Sequence, residues 1–479
     1  MVRIQALVNG LDRLFPLIIR AFDARRRIYL HSDRKRQRGD AIFSRSPAMQ
    51  KPHTAANVNI SRRLAVLRGT APFSNVATPA FRMAALWFYP ASGGVRSAFS
   101  NGLHPCRSGE LRNFEMKMKH SLGTVTVAAL GLASLPALAQ AQEGPVWDVY
   151  GQLNFGVLSV DDGEDTNTTF IDNDNSNSRV GLTMTQALQN GSELRLTFEA
   201  GLGLTGSSAI NGDDDSLDFD YHRTELRKLD LTYRTPNAGI FSFGQGSTST
   251  DGTAEADLSG TGVAAYVGIN EIAGSQQLRF ADGTLSTLAI GSTNSSFDGS
   301  RRFRVRYDTP VFNGFSASVS YGQEVLKSGD DNDYYDVGTR YVQDYGDYSV
   351  DARLGYSFRD TSNDLVMGSA AVLHQPTGLN LAVSAGRRVA GDADYAYIKA
   401  GITRDYIAAG STSFSVDYYD GNDFVVAGSS TSSVGVAVVQ RLDAYNTELY
   451  ATHRTYDFDD PSASYQDLDV TFVGARWKF

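Results

Sequence analysis

Apolar and polar side chains alternate along most of this chain after residue 142, and no other feature limits its fold so strongly. Between Phe315 and Tyr321 apolar residues occupy every second position, and three serines separate them. The segments 379–385 and 303–307 alternate in the same way. Successive side chains of a β-strand point to opposite faces, so strict alternation predicts strands that separate two unlike environments. The segments run over about 10–14 residues, which is longer than typical soluble strands and long enough to cross a bilayer when tilted.

The connections alternate between short and long, as they do in barrels with short periplasmic turns and long outer loops. The short ones fall at 189–192, 235–239, 375–378 and 441–444, and the long ones at 161–177, 206–218, 327–333, 420–432 and 457–467. We therefore predict an all-β fold, a transmembrane antiparallel up-and-down β-barrel of sixteen strands. The expected spans are 147–160, 178–189, 192–206, 219–234, 239–246, 301–310, 313–323, 334–344, 347–360, 365–375, 378–390, 394–406, 410–420, 431–442, 443–457 and 466–479. Closure leaves no strand edge in lipid, and sixteen strands enclose an aqueous lumen.

Charge divides the chain into two parts. Residues 1–115 hold 19 Lys and Arg against 6 Asp and Glu, whereas residues 143–479 hold 23 against 47. Between them, from Met116, two lysines precede an apolar run at 122–135 and small-x-small motifs at 137–141, which is the order of a secretory signal peptide. We expect a signal peptide at 116–141 and the barrel at 142–479. A signal peptide acts at an N-terminus, so we expect residues 1–115 to be either a mis-assigned upstream start or a disordered basic extension.

The composition of the acidic part argues against several other classes of protein. It contains no cysteine, so a disulfide or a thiolate metal site is excluded there, and it has no run of about 18 apolar residues that would predict a membrane-spanning helix. Its three histidines, His222, His374 and His453, stand in no recognisable Ser or Asp constellation. We expect no enzymatic activity, no cofactor, no metal site and no nucleic-acid partner.

Several motifs, each short, resemble the general (non-specific) diffusion porins of Gram-negative proteobacteria when taken in order. They lie at 178–182, 191–204, 306–310 with 313–315, and 477–479, so the likeness covers about residues 146–479. The resemblance implies a location in the outer membrane, among its lipid and lipopolysaccharide. It implies a homotrimer, and a third outer loop that folds inward and narrows each pore. It also implies that the terminal aromatic residue, Phe479, is an assembly signal read by the barrel insertion machinery.

The candidate site lies at the longest connection, residues 247–300, which is the place for such a loop. Its early part carries the carboxylates Asp251, Glu255 and Asp257 among small residues, and residues 274–295 are expected to form an extra hairpin. The charged side chains expected on the facing pore wall are Arg179, Arg195, Glu199, Arg223, Glu225, Arg227, Arg302, Arg304 and Arg306. Arg179 matches a wall arginine of the family, whereas Glu225 stands where the family has another.

Carboxylates that face guanidinium groups across a narrow aqueous pore create a transverse field, which favours polar solutes over apolar ones. We expect a passive, water-filled channel for ions and small hydrophilic solutes, with a weak cation preference from the acidic excess. The alternative channel is specific for a sugar or an anion, and it requires an aromatic slide or a dense Lys and Arg ladder. A non-porous β-sandwich adhesin is a further alternative. In the last strand the apolar parity changes between Phe472 and Val473, which predicts either a bulge or an inward-facing residue.

Overall fold

The computed structural model describes residues 144–211, 216–359 and 363–479. These residues form the strands β1 Val146–Asp161, β2 Thr166–Asp172, β3 Arg179–Ala187, β4 Glu193–Gly201, β5 Leu226–Arg234, β6 Ile240–Ser247, β7 Gln277–Arg279, β8 Leu285–Ala289, β9 Arg301–Asp308, β10 Phe315–Gln323, β11 Asp333–Tyr345, β12 Tyr348–Arg359, β13 Leu365–His374, β14 Leu379–Arg388, β15 Asp394–Ile407, β16 Gly410–Asn422, β17 Ser430–Leu442, β18 Thr447–Asp460, β19 Ala463–Ser464 and β20 Leu468–Lys478. Short 3₁₀ helices occupy Asp174–Ser176, Arg223–Glu225, Ile269–Glu271, Ile290–Ser292 and Asp443–Tyr445.

Sixteen of these strands form a closed antiparallel ring, which confirms the predicted barrel. Strand β1 closes it, because one edge of β1 pairs with β3 and the other edge pairs with β20. The remaining wall strands pair with their sequence neighbours, and β6 pairs with β9 across the long loop. The short strands β2 and β19 extend β1 and β18, and β7 and β8 form the expected extra hairpin. Every strand of the ring therefore satisfies its backbone hydrogen bonds on both edges, as hydrocarbon requires.

The two faces of the wall have the polarity that the alternation predicts. In β14, Leu379 and Leu381 are 54% and 42% exposed on the outside, whereas Asn380 and Ser384 are 8% and 6% exposed within the barrel. In β10, Val319 faces outward, whereas the serines at 318 and 320 face inward. Apolar groups outside and hydroxyl groups inside are the reverse of a soluble protein, and they suit a ring that separates lipid from water.

Two predicted strands are shorter than expected, because the end of the first and the start of the second belong to the long outer connection between them. Strand β4 ends at Gly201 rather than at residue 206, and β5 begins at Leu226 rather than at residue 219. The chain turns at Gly203, whose φ of +68° places it in the left-handed region. A Cβ at Gly203 would lie 2.9 Å from the carbonyl oxygen of Asp220, so glycine allows this close approach. The predicted loop 161–177, in contrast, contains the additional strand β2.

In the last strand, the apolar residues switch from one face to the other between Phe472 and Val473, and Phe472 points into the barrel. Phe472 is fully buried within the barrel and packs its ring against Tyr450 at a centroid distance of 5.6 Å, whereas Val473 faces outward. The pairing of β20 with β1 and β18 continues through both residues without a register shift. Of the two alternatives, the inward-facing residue is therefore correct.

Some sequence predictions fall outside the described residues. They are the basic segment 1–115, the signal peptide at 116–141 and the acidic run Asp213–Asp215 of the second outer loop. Within the described residues, no helix has the length and apolar character needed to cross a membrane.

Candidate functional site

The loop between β6 and β9, residues 248–300, is attached to side chains that face into the barrel. Ser369 of β13 holds two of its groups, because its hydroxyl donates to the carbonyl oxygen of Thr253 at 2.6 Å and accepts from the amide of Ala256 at 2.9 Å. The amide of Ser249 donates to Ser320 of β10 at 2.8 Å. These inward serines are the polar face of the alternating pattern, so they anchor the loop and do not only line the lumen.

The return half of the loop is attached to the next part of the wall. Tyr419 of β16 donates its hydroxyl to the carbonyl oxygen of Ser295 at 2.9 Å. Tyr456 of β18 donates to the carbonyl oxygens of Ile269 and Ile272 at 2.7 and 3.0 Å. The loop therefore contacts the wall from β10 to β18, and Val263 accepts hydrogen bonds from Asn173 and Asn175 ahead of β3. Among the described residues the loop forms no hydrogen bond with β3, β4 or β5 themselves.

Three arginines of β9 hold the root of this loop. Arg304 is 3% exposed, forms two 2.8 Å bonds with the carboxylate of Asp230, and donates to the carbonyl oxygen of Ser247 at 3.0 Å. Arg306 pairs with Asp308 at 2.6 Å and also donates to the carbonyl oxygens of Ser247 and Thr248. Arg302 pairs with Glu324 at 3.2 Å. All three lie on the inward face of β9, where each pairs with a carboxylate and donates to a backbone carbonyl oxygen.

On the wall formed by β3, β4 and β5, three cations surround one buried carboxylate. Glu199 of β4 lies 2.7 Å from Arg227, 3.7 Å from Lys228 and 3.9 Å from Arg179, and it accepts a 2.8 Å hydrogen bond from the hydroxyl of Tyr150. A register shift in the β4–β5 pairing causes this arrangement. Glu199 pairs with Lys228 and the next residue pairs with Leu226, so Arg227 is the extra residue of a bulge. The bulge brings two consecutive cations to the same side and leaves the cluster with an excess of positive charge.

Three residues predicted for this wall lie elsewhere or stand apart. Arg223 and Glu225 belong to a 3₁₀ helix ahead of β5, and Arg223 is exposed and donates to Ser328 of another outer loop at 2.7 Å. The sequence prediction placed both residues in the strand at 219–234. That placement was wrong, because the corresponding strand, β5, begins only at Leu226. Glu225 is half-buried near Gly201, and burial raises the pKa of its carboxyl. Arg195 has the parity of Glu199 but lies nearer the opposite end of β4, where it is exposed.

The three predicted loop carboxylates have different environments. Asp257 is held by Lys399 of β15 at 2.8 Å, and this cation keeps the pKa of Asp257 below its usual value although burial acts in the opposite direction. Glu255 faces the water of the lumen, and the surrounding protein, together with the negative charge of Asp251, raises its pKa to about 7. Asp251 is half-buried at the start of the loop. The charges of Arg301 and Arg353 lie close enough to oppose the shift in Glu255. Of the three carboxylates, Asp257 alone forms an ion pair among the described residues.

Sequence reasoning missed Lys228, Arg353 and Lys399. Arg353 of β12 pairs with Asp351 at 2.7 Å and donates to the carbonyl oxygen of Gly252, and Lys399 is 1% exposed beneath the loop. A signal was present, because Lys399 lies between Ile398 and Ala400 and Arg353 lies between Ala352 and Leu354. A charge at the alternate position of an apolar strand points into the lumen, since the lipid face cannot hold it cheaply.

The C-terminal residue lies at the barrel seam. Phe479 exchanges two backbone hydrogen bonds with Gly151 of β1, at 3.0 and 3.1 Å, and these extend the β1–β20 pairing by one residue. Its ring packs against Trp477 at a centroid distance of 5.0 Å and is about half exposed outside. The final residue therefore takes part in closing the barrel.

A closed ring with apolar residues outside, polar residues inside and a long loop hydrogen-bonded to inward-facing side chains defines an outer-membrane barrel with a polar lumen. The family described as Gram-negative porin matches residues 125–461 of the sequence. The chain belongs to this family. It is an outer-membrane porin, and it forms a channel for passive diffusion.

Several solved structures are similar to this chain. The anion-selective porin from Comamonas acidovorans is 18% identical, with 70% of this chain and 100% of that chain covered and a TM-score of 0.48. A trimer form of OmpT, an outer membrane protein of Vibrio cholerae, is 16% identical over 70% and 100% of the two chains, with a TM-score of 0.43. The outer membrane channel DcaP of Acinetobacter baumannii is 12% identical over 72% and 100%, with a TM-score of 0.45. No curated protein matches the chain.

Proposed function

We propose that this porin is a general diffusion pore, in which residues 248–300 fold into the lumen and narrow it. The positive side of the narrow part is the cluster of Arg179, Arg227 and Lys228, and the negative side is Asp251 and Glu255. The observation that carries the proposal is the bulge at Arg227, which places three cations within 4 Å of Glu199 on the wall formed by β3, β4 and β5.

The mechanism is electrostatic. Fixed charges of opposite sign on two sides of an aqueous path orient dipolar solutes and water, and an apolar solute must disrupt that order to enter. The ion pairs at Arg304, Arg306 and Lys399 hold the loop in place, so conduction requires no conformational cycle. The excess of acidic residues in 143–479 favours a weak preference for cations.

We also propose that the protein has no catalytic activity. His453 comes nearest to a catalytic arrangement, because its Nδ1 lies 3.0 Å from the hydroxyl of Thr471 and its Nε2 lies 3.8 Å from Asp469. All three lie on the outside of β18 and β20, where strand pairing occupies the backbone amides that an oxyanion would need. Lipase and protease assays of the purified protein should be negative, and activity that is lost in a His453→Ala variant contradicts this proposal.

The same outward polar group supports a homotrimer whose subunits meet at this wall. His453 pairs directly with Val436, which faces outward, so the group lies within the apolar belt. Charged and polar side chains that face hydrocarbon cost free energy, and a second subunit removes that contact. Asp469→Lys should convert the detergent-solubilised trimer to monomers in light scattering, and a protein that is already monomeric contradicts the homotrimer.

Reconstitution into planar bilayers tests the pore. We expect stepwise increases in conductance that scale with KCl concentration, together with a small reversal potential of the sign for cation preference in a salt gradient. A barrel that inserts without conductance contradicts the channel. Strong chloride preference contradicts the proposed direction of selectivity.

A further inference from the structure

A cavity of about 340 Å³ lies where the return half of the loop faces the outer ends of β12 and β14. Arg359 and Arg388, the last residues of these two strands, line it together with Asn294 and the rings of Phe297 and Phe424. Its volume is in the range of small-molecule sites. It lies at the outer mouth of the pore, ahead of the narrow part.

The two arginines differ from the other inward arginines of this wall. Arg302, Arg304, Arg306 and Arg353 each pair with a carboxylate. Neither Arg359 nor Arg388 has a carboxylate oxygen within 4 Å among residues 144–211, 216–359 and 363–479. The guanidinium carbon of Arg359 lies over the ring of Tyr334, 5.3 Å from its centre. Guanidinium groups bind carboxylates and phosphates through paired hydrogen bonds, so this pair is suited to an anion.

Two polar atoms at the cavity are buried without a hydrogen-bond partner in the described part of the chain. They are Nε of Arg359 and Oδ1 of Asn294. Such atoms lose the free energy of hydration unless water or a ligand reaches them. Both atoms lack accessible surface in this arrangement, so a polar ligand reaches them only when the two side chains shift.

The aromatic side of the cavity is rigid. Phe297 stacks on Phe424 at a centroid distance of 5.3 Å and also packs against Tyr395 at 5.9 Å. Phe297 has a φ of +51°, which is rare for a bulky residue and requires support from its surroundings. Phe424 is half-buried, so part of its ring remains open to the cavity.

Asp298 is the carboxyl group at the cavity that opposes an anion. It accepts hydrogen bonds of 2.6 Å from the amides of Gly252 and Ala254, so its oxygens are turned toward the loop backbone. Burial and the charge of Glu255 raise the pKa of Asp298 well above its usual value. Asp298 therefore shapes the loop more than it repels a ligand.

We propose that this cavity binds small organic carboxylates that carry an aromatic ring. Arg359 and Arg388 hold the carboxylate, and the ring packs against Phe424 on its Phe297 support. The inference rests on the proposed pore, because the site lies on the path that solutes take from the outer side. Binding there raises the concentration of such anions at the narrow part of a channel that otherwise favours cations weakly.

Single-channel recording with benzoate as the probe tests the site. Benzoate added to the outer side should interrupt the KCl current at a lower concentration than either acetate, which lacks the ring, or benzyl alcohol, which lacks the charge. In the double variant Arg359→Gln, Arg388→Gln, the half-blocking concentration of benzoate should rise about tenfold or more, which corresponds to the loss of one charge-assisted contact. Phe424→Ala should raise it for benzoate and leave acetate unchanged.

Arg441→Gln is the matched control, because Arg441 is an exposed arginine at the opposite end of the barrel, paired with Asp443. It should leave block by benzoate unchanged. Equal block by benzoate and acetate in the native protein overturns the inference without any variant. Block that persists in the double variant does the same. A lack of KCl conductance in the native protein is a different failure, because it contradicts the pore itself.

Discussion

Lys399 Nζ lies 2.8 Å from Oδ2 of Asp257 and 2.6 Å from the carbonyl oxygen of Ala265, so one ammonium group joins two separate points of the loop to β15. Its side chain is 1% exposed. A cation in this position is costly unless it is fully paired, and the loop supplies both acceptors. The attachment of the loop to β15 therefore depends strongly on this contact.

Lys399→Met should loosen the loop without opening the barrel. Removal of one partner from a buried ion pair costs about 3–5 kcal/mol, because the other charge stays buried. We expect more frequent closures and higher current noise at moderate voltage, because detachment of the loop returns Asp257 to water while the hydrogen-bonded wall stays closed. Arg441→Met is the control, since its pair with Asp443 is exposed on both sides. Quiet, native-like recordings from the Lys399 variant contradict the role of this contact.

Arg227→Gln should increase cation preference, whereas Arg223→Gln should not. The first removes a cation that lies 2.7 Å from Glu199, and the second removes one on an outer loop that donates to Ser328. A unit charge about 8 Å from an ion path in water shifts the energies of potassium and chloride by roughly 0.5 kcal/mol in opposite directions. Salt at about 0.1 M roughly halves both shifts, so the ratio of potassium to chloride permeability should change about twofold. Reversal potentials in a KCl gradient measure this ratio. Equal shifts in the two variants contradict the assignment of the bulge to the pore.

Cation preference should fall as the pH is lowered from 8 to 6. The pKa of Glu255 is raised to about 7, so its carboxylate takes up a proton within this window and the narrow part loses one negative charge. Glu255→Gln should show the low-pH selectivity at pH 8 and a flatter profile. Asp282→Asn is the control, because Asp282 is exposed on the extra hairpin and its hydrogen bonds with Thr284 lower its pKa. A native pH dependence of cation preference in the Glu255→Gln variant contradicts the assignment of this titration to Glu255.

Gly151→Ala should weaken closure of the barrel. A Cβ at Gly151 would lie 2.6 Å from Cζ of Phe479 and 2.7 Å from the carbonyl oxygen of Arg179, so both the seam and the β1–β3 pairing must shift. Overpacking of this kind costs about 1–3 kcal/mol. We expect a lower temperature for the loss of the compact band on gels of unheated protein. Gly144→Ala, which meets no atom within 4 Å, should behave as the native protein does.

The alternation of side chains was sufficient to predict the wall of the barrel. The outward position of Val319 and the inward position of Ser320 follow from a period of two, which is a local property of each strand. The closure follows from the absence of water in hydrocarbon, which leaves no unpaired edge. The even number of strands follows because the last strand pairs antiparallel with the first. The extra hairpin was also predicted, because short segments separated by a turn carry their own signal.

The alternation of side chains assigned the wrong face where the pairing of two strands shifts by one residue. Leu229 and Leu231 face outward, so the even-numbered residues of β5 face the lumen, and the odd-numbered Arg227 joins them only because of the bulge. The odd-numbered leucines were visible in the sequence, whereas the bulge is a property of the β4–β5 pair. Phe472 faces inward for a related reason, since Tyr450 of the neighbouring strand supplies its contact.

The sequence by itself determined which residues face lipid, how many strands form the ring and which loop is long enough to enter it. Tertiary structure alone decided which charges remain free in the lumen. Arg304 and Asp230 are 74 positions apart, and Lys399 and Asp257 are 142 apart, yet each pair meets. A charged side chain is neutralised when an opposite charge lies within about 4 Å of it. The path of the loop across the wall decides which charges meet in this way, and neighbours along the chain do not.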